Sequence, residues 1–312
     1  MLIESLKVFC DLVDTQSFSK TASLNAVTQS AVSQQLKSIE KRQGKRLVER
    51  EKRQLTLTAE GEIFYNCAKW IVRHYEEMQY QIEGLTGVVS GTVRLSTIYS
   101  LGMQELGRYL KVYLKTYPNV NLRLSYGLSL EIYDSVANSE VDLGIVAYPR
   151  AQRNVEAVPF TKDLLVLICH PEHPFAQDVK VSIQDLDRVP LVTFPEDSST
   201  RQALEQFFRK HRVRPDIVME MEHIATIKNA VEVGLGVSIV PVHSVVQEGK
   251  RKTLRVLPLE DEQIFRPLGI LYRKGHSLSP ALQKLVEVLT DPSISRTDIR
   301  SKEILEAAAP EA

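Results

Sequence analysis

The chain has 312 residues, of which 43% are hydrophobic and 25% charged, and its formal net charge at pH 7 is zero. This length predicts two or three domains in an ordinary globular protein. No run approaches the roughly 20 apolar residues of a membrane-spanning helix, so we expect no membrane partner. The neutral total also excludes a molecule that attracts nucleic acid over its whole surface, so any such contact must be local.

The first residues, MLIESLKVFCDLVD, carry acids where a secretory signal peptide has a basic flank, and no small-residue cleavage site follows. Cys10, Cys67 and Cys169 are scattered and form no pair with metal-ligand or redox spacing. We therefore expect a cytoplasmic protein with reduced cysteines, no metal and no cofactor.

Four apolar residues recur at helical spacing near the start of the chain: Leu2, Leu6, Phe9 and Val13. They predict an amphipathic helix of about a dozen residues. A short second helix is expected near residues 20–26, after a polar break. Thr28 is the expected N-cap of a third helix that runs to about Gln43 and ends at Gly44. Two short helices joined by a tight turn are typical of a helix-turn-helix.

The stretch RLVEREKRQLTLT after this helix alternates apolar and polar residues around a basic tip, which predicts a β-hairpin. Three helices and a hairpin make a winged helix-turn-helix over residues 1–58. Eight basic residues against three acids lie between Lys37 and Arg53. Such an excess is typical of a nucleic-acid contact, although a charge run alone is more often a solvated face.

One side of the third helix is apolar, whereas the other carries serines, glutamines and lysines. Short polar side chains near a helix N-terminus suit base edges in a major groove, and a lysine further along suits a phosphate. The basic hairpin tip suits the flanking backbone or a minor groove. The expected DNA-binding residues are Thr28, Gln29, Ser30, Ser33, Gln34, Lys37, Arg50 and Arg53.

A long helix without proline follows, in a linker segment over residues 59–90. Four of its apolar residues are seven positions apart: Phe64, Ile71, Met78 and Leu85. A seven-residue repeat on a polar helix predicts a seam against another helix, and we favour self-association. Packing against the helix's own domain is the alternative.

Strands and helices then alternate twice, over 92–148 and over 190–241, and a last strand and helix return at 265–290. This order predicts an α/β domain with largely parallel sheets in two similar subdomains. The predicted limits are 91–161 with 266–295 for subdomain I, 162–265 for subdomain II, and 296–312 for a loosely attached tail.

In each subdomain the first strand runs into a helix that opens with hydroxyl side chains. Helix N-termini present unpaired N–H groups and a positive dipole end, so two of them at one cleft suit a small anion. Hydroxyls also favour N-caps without any ligand, so plain capping is an open alternative. The expected effector-binding residues are Thr97, Ser100, Tyr148, Ser199 and Thr200, with Ile224 or Thr226 on a wall.

The sequence shows no nucleophile elbow, phosphate-binding loop or paired carboxylates. In HPEHP, His170 and His173 are flanked by prolines and lack a third ligand, which predicts a turn rather than a metal site. We therefore expect no enzyme activity. Two other classes stay open: a cytoplasmic solute-binding protein with an N-terminal interaction module, and an enzyme of the same architecture.

Residues 5–61 resemble the N-terminal signature of the LysR-type transcriptional regulators. The landmarks that carry this resemblance are Phe9, Ser17, Phe18, Ala22, Leu24, residues 29–33, Leu36, Glu40, Gly44, Leu47, Arg50, Leu57, Thr58 and Gly61. The rest of the chain is similar to that family's periplasmic-binding-protein-like effector domain. The resemblance implies a homodimer or homotetramer that binds double-stranded promoter DNA and a small effector, with RNA polymerase as a further partner. Ser23 and Val48 depart from the family pattern, at packing positions only.

Overall fold

The structure is a computed structural model that describes residues 2–51, 54–84, 87–275 and 278–294. Contacts divide the chain into two compact units, with the division between Val89 and Ser90. Among the described helices, none combines the length and the apolar character that crossing a membrane requires.

The N-terminal unit has the element order that the sequence predicts, which confirms the winged helix-turn-helix. Its elements are α1 (Ile3–Thr15), α2 (Phe18–Leu24), α3 (Gln29–Gln43), β1 (Val48–Glu51), β2 (Gln54–Leu57) and α4 (Ala59–Gly84). β1 and β2 pair antiparallel. α2 begins two residues earlier than predicted because the Ser17 side chain accepts a hydrogen bond from the Lys20 amide and caps the helix there.

The limits of α3 follow from local chemistry. The Thr28 hydroxyl accepts a hydrogen bond from the Ala31 amide at 3.2 Å, so it satisfies one of the unpaired donors of the helix start. At the other end Gly44 has φ +65°, a left-handed conformation that glycine adopts without strain. Both ends agree with the predicted cap and stop.

The second unit contains a mixed sheet whose strands come from distant parts of the chain. The strands of its first part are β3 (Gly91–Ile98), β4 (Val120–Gly127), β5 (Leu143–Ala147), β6 (Val155–Cys169) and β11 (Phe265–Arg273). Their order in the sheet is β4–β3–β5–β11–β6. The helices α5 (Gly102–Thr116), α6 (Ser129–Ala137) and α10 (Pro280–Thr290) belong to this part. β3 pairs parallel with β4 and β5, whereas β11 pairs antiparallel with β5 and β6.

The remaining elements form the second part of this unit. They are β7 (Pro190–Thr193), α7 (Ser199–His211), β8 (Asp216–Glu220), α8 (Ile224–Glu232), β9 (Ser238–Pro241), α9 (Val246–Arg251) and β10 (Arg255–Leu257). β7 and β8 pair parallel, whereas β9 and β10 pair antiparallel with β6. The two-subdomain α/β class is therefore as predicted, but β6, α9 and β10 were not predicted.

β6 is continuous through both subdomains. Its first residues pair with β11, and from Leu165 onward it pairs with β9 and then β10. The second half is buried on both faces, with Leu165 and Leu167 in one core cluster and Val166 and Ile168 in another. The predicted limit between residues 161 and 162 therefore falls inside a strand, and the limit between 265 and 266 falls at the start of β11.

Candidate functional site

The exposed side of α3 carries most of the predicted DNA-binding residues. Val32, Leu36 and Ile39 are buried in the core of the N-terminal unit, which turns the opposite side of the helix outward. The α3 polar face consists of the predicted residues on that side: Thr28, Gln29, Ser30, Ser33, Gln34 and Lys37. All are exposed except Ser33, which is half-buried. The side chain of Arg50 and the whole of Arg53 lie outside the described residues.

The start of the α3 polar face is ordered by its own hydrogen bonds. Thr28 and Ser30 share a hydroxyl–hydroxyl hydrogen bond of 2.9 Å, and the Ser19 hydroxyl of α2 donates to the side-chain amide oxygen Oε1 of Gln29 at 3.4 Å. The Gln29 amide nitrogen is thereby directed away from Ser19. A side-chain amide held in this way keeps its donor for another partner.

Glu40 fixes the start of the hairpin relative to α3. One carboxylate oxygen accepts hydrogen bonds from the amides of Leu47 at 2.9 Å and Val48 at 3.3 Å. These charge-assisted bonds connect the helix that carries the polar face with the strand that leads to the basic tip. The sequence identifies Glu40 only as a family landmark, because the partner amides become visible only once the hairpin is placed.

The long helix α4 packs on α1 with its first turns and leaves an apolar stripe on the rest. Phe64 meets Phe9 edge to face with ring centroids 5.1 Å apart, and Ala68 is buried beside Leu6 and Cys10. Further along, four of the exposed large apolar side chains form the α4 stripe: Ile71, Tyr75, Met78 and Ile82. Only part of the predicted repeat is therefore exposed: Phe64 packs within the N-terminal unit, whereas Ile71 and Met78 are exposed. Leu85 lies outside the described residues.

Two of the three cysteines are chemically protected. Burial raises the pKa of the Cys10 thiol to about 12 and that of the Cys169 thiol to about 11. At neutral pH both are therefore thiols rather than reactive thiolates. Cys67 is exposed on α4.

A cleft of about 650 Å³ lies between the two subdomains of the second unit. Its walls are the segments after β3 and β5, the start of α6, and the start of α7. Four of the predicted effector-binding residues line it: Ser100, Tyr148, Ser199 and Thr200. The volume suits a small organic molecule.

Two predicted residues lie elsewhere. Thr97 is fully buried in β3 and donates to the Ile145 carbonyl at 3.4 Å. Thr226 is exposed in the first turn of α8 and donates to the His223 carbonyl at 2.6 Å. Neither Thr226 nor its neighbour Ile224 is among the residues that line the cleft.

The hydroxyl residues at the cleft are not simply helix caps. α5 begins at Gly102, so Ser100 precedes the helix rather than opening it as predicted. Ser198 is the N-cap residue of α7, but its side chain makes no capping hydrogen bond. Ser199 instead donates to the Ala147 carbonyl across the cleft at 3.4 Å.

The start of α6 also lines the cleft, and the sequence did not single it out. Leu128, Ser129 and Leu130 are at the wall, and the Glu131 carboxylate accepts from the Leu128 amide at 2.9 Å. The sequence pattern that could have identified it is the turn from β4 into α6. β3 and β4 are parallel, so this turn lies at the same edge of the sheet as the turn after β3. Beyond Glu131, the charged residues at the walls are Arg150, Asp197 and Glu222, and all three are exposed.

A buried ion pair lies below the cleft. The Arg266 guanidinium donates to the Asp163 carboxylate at 2.6 Å and to the Ser100 hydroxyl at 2.8 Å. Arg266 is 0% exposed and Asp163 is 2% exposed. The two residues are cross-strand neighbours on β11 and β6, and their pairing was not foreseen.

Tyr148 stands next to this pair. Burial raises the pKa of its phenol, and the nearby Arg266 charge opposes that rise. Its backbone has φ +50°, which is uncommon for an aromatic residue, and its amide donates to the Pro267 carbonyl at 2.8 Å. The bond to β11 holds Tyr148 in this conformation at the cleft wall.

The HPEHP segment forms the predicted turn. His173 accepts from the Phe175 amide at 3.2 Å and caps a short 3₁₀ helix, Pro174–Gln177. Within the part of the chain that the structure describes, no three metal-binding side chains come together.

Two family models cover most of the chain. Residues 3–62 match the bacterial regulatory helix-turn-helix protein of the lysR family, and residues 86–292 match the LysR substrate binding domain. The transcriptional activator CmpR of Synechocystis sp. is 31% identical over 287 residues, which cover 92% of this chain and 94% of CmpR. The RuBisCO operon transcriptional regulator of Allochromatium vinosum is 29% identical over 279 residues, which cover 89% and 92% of the two chains.

Solved structures agree on the fold. Full-length CbnR in complex with its target DNA superposes with a TM-score of 0.70 at 19% identity, covering 95% of this chain and 100% of CbnR. The effector binding domain of QuiR in complex with shikimate gives 0.60 at 23% identity, covering 64% and 96%. The matched proteins are regulators rather than enzymes, as expected. With both family models matched in order on the predicted fold, the chain belongs to the LysR family of DNA-binding transcriptional regulators.

Proposed function

We propose that this regulator reads promoter DNA with the α3 polar face and responds to a small anionic effector in the cleft. Its proposed place of action is the cytoplasm, as a homodimer or homotetramer that acts together with RNA polymerase. The alternative of a solute-binding protein with an interaction module has less support, because residues 3–62 of the N-terminal unit match a helix-turn-helix family.

The observation that carries the DNA proposal is the exposure of the α3 polar face. Gln29, Ser30 and Gln34 are exposed in the first turns of α3, where a recognition helix contacts base edges. Lys37 is exposed one turn further along, where a phosphate contact is expected. The related fold of CbnR was solved in complex with its target DNA, which supports the same role for this unit.

The observation that supports an anionic effector is the convergence of helix starts on the cleft. The first residues of α6 and α7 line it, and the backbone N–H groups at a helix start favour an anion. The Glu131 carboxylate is engaged in capping α6. Arg150, Asp197 and Glu222 are all exposed, so water screens their charges. QuiR binds shikimate, a small acid, in the same kind of domain.

The α4 stripe supports the oligomer. Four large apolar side chains spaced alternately four and three residues apart on an exposed helix face are stabilised when a second helix covers them. The proposed mechanism is a population shift: an effector that binds one arrangement of the two subdomains more tightly favours it in proportion to that difference in affinity. The altered arrangement of subunits then changes how the N-terminal units of the oligomer are placed on the promoter DNA, and with it the bend that they impose.

A pair of substitutions tests the division between base and phosphate contacts. Gln29→Ala should weaken binding to the cognate site by about 1–3 kcal/mol while leaving nonspecific DNA affinity nearly unchanged. Lys37→Ala should weaken binding to all sequences alike and reduce the salt slope of log affinity by about one. Both are measured by gel shift over a range of salt concentrations on the DNA upstream of the chain's own gene.

Gln43→Ala is the matched control, because Gln43 is exposed on the same helix but in its last turn, away from the α3 polar face. It should change neither quantity. Cognate affinity that survives Gln29→Ala and Ser33→Ala together would contradict the assignment of these residues to bases.

A further inference from the structure

The connection from α3 to the wing, which is the β1–β2 hairpin, converges on one residue of α3. The Glu40 backbone carbonyl accepts hydrogen bonds from the amides of Gly44 and Lys45. One oxygen of its carboxylate accepts from the amides of Leu47 at 2.9 Å and Val48 at 3.3 Å. Four of the five amides from residue 44 to residue 48 are therefore held by Glu40.

The base of the wing is also held from the side of α4. The Thr58 hydroxyl donates to the Arg46 carbonyl at 2.8 Å and accepts from the Gly61 amide at 2.9 Å. The Thr58 amide donates to the Leu47 carbonyl at 3.1 Å. These bonds fix the wing to α4, whereas the Glu40 carboxylate fixes it to α3. The Glu40 side chain therefore sets the angle between the wing and the helix that carries the α3 polar face.

A carboxylate is an unfavourable choice at this position on electrostatic grounds alone. Glu40 lies in the last turn of α3, which ends at Gln43, and the C-terminal end of a helix dipole disfavours negative charge. In the sequence it also lies between Lys37 and Arg50, which are expected to contact DNA, and DNA repels an acid there. What the carboxylate gains is two charge-assisted hydrogen bonds to the wing. The placement of the wing therefore accounts for the acid.

A small rotation of the wing at its base moves its far end by more than a hydrogen-bond length. β1 has four residues, so at about 3.3 Å per residue it spans about 13 Å. Turning it by about 20° moves its far end by about 4–5 Å, which is enough to break a phosphate contact. The basic residues of the wing are Arg50 in β1 and, between β1 and β2 in the sequence, Lys52 and Arg53. Their reach to a phosphate therefore depends on the angle that is set at the base.

We propose that Glu40 is a positioning residue for DNA recognition: its carboxylate holds the wing at the angle at which the wing and the α3 polar face engage one DNA site together. This inference rests on the proposed function, because it takes the α3 polar face as the surface that contacts bases. Glu40 acts through the wing and not by touching DNA. Its negative charge weakens DNA binding, whereas its hydrogen bonds to the wing strengthen it, so the two effects have opposite signs.

Four variants separate these two effects. Glu40→Ala and Glu40→Asp both lose the bonds to the wing, since aspartate is one methylene shorter. Each should lower affinity for the cognate site about tenfold and reduce the salt slope of log affinity by about two, because the wing loses its phosphate contacts. Glu40→Gln keeps an acceptor oxygen at the same reach and should retain the wild-type slope. Glu49→Ala removes the same charge from an exposed residue of β1, so it should leave the slope unchanged and the affinity equal or higher. Gel shifts of the full chain over a range of salt concentrations, on the DNA upstream of its own gene, measure all four.

Footprints distinguish positioning from general damage. With Glu40→Asp, hydroxyl-radical footprints should lose protection at the flanks of the site, where the wing is expected, and keep it where α3 lies. If circular dichroism shows that Glu40→Ala does not fold, the comparison of Glu40→Asp with Glu40→Gln decides. A wild-type slope in Glu40→Asp, or an equally reduced slope in Glu40→Gln, would overturn the proposal. So would a footprint that fades evenly over the whole site.

The same gel shifts distinguish a failure of this inference from a failure of the proposed function. A wild-type chain that shifts no DNA at any salt concentration would refute both. A chain that binds its site and responds to Gln29→Ala and Lys37→Ala as expected, but is indifferent to Glu40→Ala, would refute the role of Glu40 alone.

Discussion

Gly61 lies in the first turn of α4, against the carbonyl oxygen of Leu47 at the start of the wing. A Cβ atom at residue 61 would stand 1.9 Å from that oxygen, and the obstacle is backbone rather than a movable side chain. Gly61→Ala should therefore destabilise the N-terminal unit by about 2–3 kcal/mol, because the wing or the helix must shift. Chemical denaturation followed by circular dichroism measures the change.

Asn66→Ala is the control for this substitution. Asn66 is exposed on the same helix, where a change to alanine slightly favours helix formation. It should leave the free energy of unfolding unchanged or slightly higher. Equal stabilities for the two variants would show that the Leu47 carbonyl can move away from α4 at little cost and that Gly61 is not required there.

Residues with local partners could be predicted from the sequence. The Thr28 cap and the Gly44 stop depend on neighbours within a few positions, so spacing alone identifies them. Asp163 and Arg266 are 103 positions apart, and no local pattern connects them. Ser100 was predicted at the first position of a helix, but its hydroxyl instead accepts a hydrogen bond from Arg266, 166 positions further along the chain.

At the scale of elements, α4 has two different roles along its length. Its first turns are covered by α1, whereas the α4 stripe is exposed. Met78→Glu should convert the oligomer to monomers, since a charge buried between two helices has no partner. Sedimentation velocity measures the change in mass. The same substitution at Asn66, on the opposite side of the helix, should leave the mass unchanged, and an oligomer that survives Met78→Glu would place the interface elsewhere.

The elements that the sequence missed are those defined by distant pairing. In β6 the sequence VEAVPFTKDLLVLIC begins with mixed polarity and then becomes continuously apolar. Its first half pairs with β11, whereas its second half pairs with β9 and β10 and is buried on both faces. Neither strict alternation nor a single apolar run therefore describes the whole strand. Pro159 is tolerated there because the β11 register shifts at Leu268 and Gly269 beside it. α9 and β10 are too short to give a clear pattern.

At the scale of the whole molecule, the division between Val89 and Ser90 predicts separate unfolding. Calorimetry should show two transitions, because each unit has its own core. Gly61→Ala should lower only one of them, and replacing Asp163 and Arg266 together should affect only the other. A single transition that moves equally with both variants would mean that the two units unfold as one cooperative body.

The position of β11 has a consequence for how the protein is made. β11 pairs with β5 and β6, yet the ribosome adds it more than a hundred residues after β5. Non-local pairing of this kind is slow, and unpaired strand edges are prone to aggregate. The N-terminal unit has all its strands and helices much earlier. A nascent chain can therefore carry a folded N-terminal unit while the sheet of its second unit still lacks β11. A premature stop before Phe265 would leave the N-terminal unit attached to an incomplete effector-binding domain.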